Sequence, residues 1–191
     1  MEATAKTNTC PQGRHRRFIA SARTNLPVWP DSPPTIDEAG RGFILLGLRA
    51  DAADVLAGWQ FAIDALGRPC RQRLDTEASA NDVLIGWLED ALASVVVGWR
   101  LMLAGPASEV LLLSARARAA GMLESEIRSF ATADIHVRGQ CVHCKTSFRC
   151  EGEPGAVVVC PGCDRHLLVH QHLSRRHAAL VSFIADVEKP R

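Results

Sequence analysis

Cysteines crowd residues 141–163 of this 191-residue chain, in the strings "CVHCKTSFRC" and "CPGC". Four of them form two pairs, Cys141-x2-Cys144 and Cys160-x2-Cys163, with residues 145–159 between. Two residues between thiols let a tight turn aim both sulfurs at one ion, and two such turns facing each other make the tetrahedral four-sulfur shell that zinc favours. A single iron ion suits the same shell. The third, closely spaced cysteine of the common iron–sulfur motifs is missing, and a dithiol redox pair would sit where a strand runs into a helix rather than as facing turns. Cys150, six residues after Cys144, belongs to neither turn and reads as a packed strand residue. His143 and His166 stand beside ligands, but four sulfurs already complete the shell.

The elements that must position these thiols are short. "SFRC" and "AVVVC" are β-prone, and "EGEPG" between them reads as a hairpin tip. That is the layout of a zinc ribbon, where the metal replaces a hydrophobic core too small to hold alone. In "HQHLSRRHAALVSFIADVE", Ser174 reads as a cap, with Ala178, Val181 and Ile184 on one face of a C-terminal helix.

Upstream the pattern is α/β. Residues 1–35 contain five prolines and the basic string "GRHRR", and read as an extended leader whose end lies against the body through Val28 and Trp29. "FILLGL" is a continuous apolar run suited to a strand buried on both faces. "DAADVLAGWQFAIDALG" follows as a helix with Asp51 as cap, Val55, Leu56, Trp59, Ile63 and Leu66 at helical spacing, and Gly67 as its stop. "PCRQRL" reads as a weaker strand, and "SANDVLIGWLEDAL" as a helix with Val83, Leu84, Trp87, Leu88 and Leu92 inward. "VVVGWRLMLAG" predicts a third strand, "PASEVLLLSARARAAG" a helix begun by Pro106 and ended by Gly121, and "LESEIRSFA" another helix. Three strand–helix alternations imply a parallel sheet. The boundaries are a leader over 1–35, an α/β domain over 36–134 and a four-cysteine ribbon-like domain with C-terminal helix over 135–191.

Composition excludes several classes. No apolar run approaches the ~20 residues of a membrane span, and Arg100 interrupts the longest candidate. A formal net charge of +1 gives no overall field for nucleic acid or membrane. With no apolar stretch behind "GRHRR" to act as a signal peptide, the sequence reads as cytoplasmic, where thiols stay reduced or bind metal. Cys10 and Cys70 stand alone and read as fillers.

The string "CVHCK...CPGCDRHLLVHQHLSRRHAAL", followed by "DVE", resembles the C-terminal domain of the DmmA-like subunit of bacterial dimethylamine monooxygenase, and "LPVW", "GWRLMLAGP" and "ARAAGMLESEI" extend the resemblance upstream. The resemblance implies an accessory subunit working with a haem-bearing oxygenase subunit and a flavin/iron–sulfur reductase subunit, which together demethylate a secondary amine using NADPH and oxygen. The N-terminal half also resembles a reduced nicotinamide-binding lobe of the ferredoxin-reductase type, whose strand ends in a Cys-Gly-Pro turn. Here Ala104 replaces the cysteine, while Gly105 and Pro106 remain as candidates for nucleotide contact. Charged "RADAADVL" stands where a glycine-rich phosphate loop would be, which argues against NADPH binding. His170, His172 and His177 are candidate haem or metal ligands or surface residues. His172, Arg175 and Arg176 are candidate contacts to an acidic partner or a phosphate.

Three functions follow. The first is a docking subunit held rigid by zinc on Cys141, Cys144, Cys160 and Cys163, with no catalysis of its own. The second is a rubredoxin-like electron carrier with iron in that site. The third is a zinc-ribbon nucleic-acid binder, opposed by the near-zero net charge and the lack of interleaved aromatic and basic residues. No nucleophile with a base, paired-carboxylate frame or phosphate loop is present.

Overall fold

The structure, a computed structural model, describes residues 25–76, 80–133, 137–150 and 154–185, with backbone alone at Val137 and Cys150. Cys10, the string at 13–17, residues 151–153 and the closing "DVE" lie outside the described residues. The chain divides into two compact units, Trp29–Ile135 and Met1–Val28 with His136–Arg191.

The first unit runs β1 (Gly42–Leu48), a 3₁₀ turn (Ala50–Ala52), α1 (Ala53–Ala65), β2 (Cys70–Asp75), α2 (Asp82–Ala93), β3 (Trp99–Pro106), α3 (Ala107–Ala119), a second 3₁₀ turn (Glu124–Glu126) and β4 (Ile127–Ala133). Its sheet is parallel, in the order β2-β1-β3-β4. Every residue of β1 is buried, as a continuous apolar run requires. Because side chains alternate along a strand, Ile44, Leu46 and Leu48 pack with Leu84, Leu88, Val110 and Leu113 of α2 and α3. Phe43 and Leu45 pack with Leu56, Trp59 and Ile63 of α1. Each such side chain contributes about 1.5–3 kcal/mol relative to exposure. The three-layer α/β expectation is met.

One helix is too narrow to cover the α1 side of four strands, and the chain before β1 adds to the cover. Ile36 packs against the α1-side cluster, Trp59 Nε1 donates to Pro34 O at 2.8 Å, and Arg100 Nε donates to Asp37 Oδ2 at 2.6 Å. Trp29 lies against the opposite cluster, but its neighbour Val28 is 78% exposed.

Several local expectations are corrected. Asp51 caps nothing with its side chain; α1 grows out of the 3₁₀ turn. At α2 the cap is Asn81, whose Oδ1 accepts from Leu84 N–H at 2.8 Å. Leu66 and Val83, placed inward by periodicity, are exposed at helix ends. The third strand begins only at Trp99, and Val96 and Val97 before it are exposed in the approach to β3. "LESEIRSFA" forms the second 3₁₀ turn and then β4, not a helix. "IRSFATA" mixes β-branched and aromatic residues, and the free edge of β3 offers it a hydrogen-bonding partner.

The second unit contains β5 (Val137–Cys141), β6 (Ser147–Cys150), β7 (Val157–Val159), β8 (His166–Ser174) and β9 (Ala179–Ile184), in one curled mixed sheet ordered β6-β5-β9-β8-β7. β6 and β7 lie at opposite edges, so "SFRC" and "AVVVC" do not pair as the arms of one hairpin. Each cysteine turn reverses the chain by itself, so β5 pairs with β6 across the first turn and β7 with β8 across the second.

The expected C-terminal helix is replaced by β9, which runs antiparallel to β8 and parallel to β5. In "ALVSFI" the buried Leu180 and Ser182 alternate with more open Val181 and Phe183, a period of two that a helix cannot satisfy. Ser174 still behaves like a cap, its Oγ accepting from His177 N–H at 3.4 Å, but it closes a turn completed by Ala178 at φ 50°. Asn25 joins this unit by pairing its side-chain amide with Leu173, donating to Leu173 O at 2.8 Å and accepting from Leu173 N–H at 2.7 Å.

Candidate metal centre

Cys141 ends β5 and Cys144 lies in the turn before β6; Cys160 follows β7 and Cys163 lies in the turn before β8. The two turns are built alike. Cys141 N–H donates to Thr146 O at 3.0 Å and Lys145 N–H to Cys141 O at 3.0 Å; Cys160 N–H donates to Arg165 O at 2.9 Å and Asp164 N–H to Cys160 O at 2.9 Å. Lys145 and Asp164, each directly after the second cysteine, share the left-handed conformation at φ 65° and 55°. Equal spacing in sequence has thus become equal backbone geometry, and both turns send two sulfurs to one point.

The four Sγ atoms lie within 4.8 Å of one another, with Cys141 to Cys163 at 3.9 Å and Cys144 to Cys160 at 3.5 Å. Sulfurs about 2.3 Å from a tetrahedral ion sit roughly 3.8 Å apart, so the cage fits one zinc or iron ion. It is too wide for a disulfide, whose sulfurs approach to ~2.05 Å, and all four thiols are free. Among the described residues this is the cluster able to hold a metal, and it includes no histidine. His143 and His166 are exposed outside it.

Two supporting residues escaped the sequence reading. Thr146 places its hydroxyl 3.2 Å from Cys144 Sγ, and that contact, reinforced by the Thr146 N–H, holds the Cys144 thiol down to about 6. Gly162 donates its N–H to Cys160 Sγ at 3.4 Å, and a Cβ there would collide with Thr146 Oγ1 and stand 3.2 Å from Cys144 Sγ. The glycine in "CPGC" was the available signal. Burial pushes the Cys160 thiol up to about 12 and raises Cys163 as well. One thiol is primed to ionise while others hold their protons, so metal uptake at neutral pH displaces protons.

The other candidates lie elsewhere. Exposed His170 sits edge-on to Phe183 with ring centroids 6.0 Å apart, His172 is exposed near the end of β8, and Arg175, Arg176 and His177 are exposed in the β8–β9 turn. Cys70 is half-buried, and burial pushes its thiol up to about 11, as suits a packed thiol. Gly105 and Pro106 end β3, where open parallel sheets often take ligands between the strands at which the order reverses, here β1 and β3.

Three local features stand at that edge. A Cβ on Gly105, at φ 152°, would meet Leu48 Cβ at 2.9 Å, so the glycine serves close packing of β3 on β1 rather than access for a ligand. Arg49, at φ 69°, and the acidic Asp51 and Asp54 occupy the approach to α1, where backbone amides would have to receive phosphate. At the start of α3 the buried Glu109 adds another carboxyl group, accepting from Ala80 N–H at 2.9 Å and from Ser108 Oγ at 3.2 Å.

Fold and site together define a chain with a small parallel α/β domain and a zinc-ribbon-like, four-cysteine metal-binding module. Residues 138–182, which carry all four cysteines, match the family described as dimethylamine monooxygenase subunit DmmA-like, C-terminal domain. Over those residues the module is similar to that family's C-terminal domain. The chain is also similar to a protein named heme-dependent oxidative N-demethylase delta subunit from Ectopseudomonas mendocina strain ymp, with 36% identity over 104 residues, which cover 54% of this chain and 58% of that protein. Among solved structures, an archaeal halo-thermophilic alcohol dehydrogenase from a Red Sea brine pool overlaps 80% of this chain and 41% of its own at 15% identity and a TM-score of 0.37, a likeness too low to assign fold or function. No helix among the described residues is long and apolar enough to cross a membrane.

Proposed function

We propose that the chain is an accessory docking subunit of a cytoplasmic, haem-dependent oxidative N-demethylase complex acting on a secondary amine such as dimethylamine. A haem oxygenase subunit and a flavin/iron–sulfur reductase subunit carry out the chemistry with NADPH and oxygen. In this chain zinc on Cys141, Cys144, Cys160 and Cys163 holds the C-terminal module rigid for contact with those subunits, and His172, Arg175 and Arg176 contribute to the contact. The observation that carries this reading is the coincidence of the four-sulfur cage with the DmmA-like match, beside 36% identity to a protein named as a delta subunit. The close packing of Gly105 on Leu48 supports NADPH being used elsewhere in the complex.

Co-expression with the oxygenase and reductase subunits tests it. The expected result is a complex that elutes together, with amine turnover absent from the isolated chain; failure to associate, or turnover by this chain alone, would reject the reading. Iron in the cage would instead make the chain an electron carrier, since the 3.5–3.9 Å sulfur spacings suit both metals.

A further inference from the structure

The small net charge conceals a division between the units. Residues 29–135 contain nine Lys or Arg against fifteen Asp or Glu, whereas 136–191 contain eight against five and hold six of the seven histidines. The C-terminal module therefore presents a cationic field of its own.

Among the described residues, one face of its sheet leaves apolar side chains exposed. In the cross-strand register, Val157 of β7, Leu168 of β8 and Phe183 of β9 stand in one row. Side chains in a row share a face of the sheet. Val157 is 56% and Phe183 48% exposed, and Val159, two residues along β7 and paired with His166, is 37% exposed. His170 flanks the row from the other side, edge-on to Phe183. The opposite face carries the module's buried Val158, Leu167, Val169, Leu180 and Ser182. An apolar row spanning three strands is larger than the scattered single hydrophobics of an ordinary surface.

We infer that the face bearing Val157, Leu168 and Phe183 is the docking surface of the module, and that its occupant is a protein surface with an apolar centre and an acidic rim. The charge selects the rim: His166 pairs with Val159 beside the row, His170 lies edge-on to Phe183, and Arg165 directly precedes His166, all three exposed. The apolar centre selects a protein over a nucleic acid, because the rings of Phe183 and His170 there meet edge-on at 87° and do not offer the successive stacking platforms that bases use. This rests on the docking reading above and names the surface that performs it.

The test uses the full chain and the purified oxygenase subunit, with binding measured at low and moderate salt. Phe183→Glu should weaken binding at least about tenfold, as loss of a central aromatic anchor does, and Phe183→Lys should weaken it clearly less, because a cation suits an acidic rim. Val157→Glu should follow Phe183→Glu, while Val97→Glu, on the other unit and 86% exposed in the native chain, should change nothing. Bound metal and melting temperature should stay native in all four variants. Equal losses for Phe183→Glu and Phe183→Lys, native binding by both, or duplex DNA bound with the same dependence on Phe183 would each overturn the inference. A native chain that does not bind the oxygenase subunit would reject the docking reading itself.

Discussion

The α/β unit and the C-terminal module solve the same stability problem with different materials. In the first, Phe43, Ile44, Leu45, Leu46, Leu48, Leu56, Ile63, Leu84, Leu88, Leu101, Met102 and Leu103 are fully buried, filling both sides of a four-stranded sheet. In the second, the buried set is thinner: Val158, Leu167, Val169, Leu173 and Leu180, with small alanines and the sulfurs of Cys141 and Cys160. The first unit can lose one contact and remain folded on the rest. The second gathers its two hairpins on one point, where four sulfurs lie within 4.8 Å. A metal there joins β5–β6 to β7–β8 in a way that the module's few apolar contacts cannot replace.

Removing the metal should break this contrast most sharply. Cys141→Ser, or chelation, is expected to strip amide-exchange protection from 137–150 and 154–185 while β1 and β3 keep theirs; structural zinc sites contribute about 10–16 kcal/mol in small modules. Leu46→Ala should do the reverse, costing the α/β unit about 3 kcal/mol in denaturant titration and leaving metal content unchanged. Glu109→Ala should cost about 1–3 kcal/mol of α/β stability by orphaning Ala80 N–H, again without metal loss. The smallest effect belongs to Asp37. Its carboxyl is held below the usual value by its hydrogen bond from Arg100, with the Ala39 N–H second, so its contribution is present above about pH 4 and fades as pH falls through the lowered folded value. Asp37→Asn should lower stability by less than about 1 kcal/mol at pH 7, with the difference from the native chain shrinking in acid.

The two regions also differed in how well their sequence could be read. In the α/β unit, apolar runs and helical periodicity located β1, α1, α2, β3 and α3, because a chain passing between buried layers must repeat its pattern over long stretches. What escaped was set by a neighbour: β4 is a strand because β3 has a free edge. In the C-terminal module the metal cage was legible from spacing alone, since two residues between thiols dictate the turn. The strand pairing was not. A turn that binds metal also reverses the chain, so β5–β6 and β7–β8 became the hairpins, and β9, read as a helix, became the strand between β5 and β8. Thr146 and Gly162, which support the cage, are intelligible only after the two turns are seen to face each other.

The proposed zinc ion replaces a core in the C-terminal module. Elemental analysis of the purified full-length chain, with a visible absorption spectrum of the same sample, tests that most directly. One zinc per chain and a colourless protein is the predicted result. Stoichiometric iron with thiolate-to-iron absorption, or a folded C-terminal module containing no metal, would contradict it.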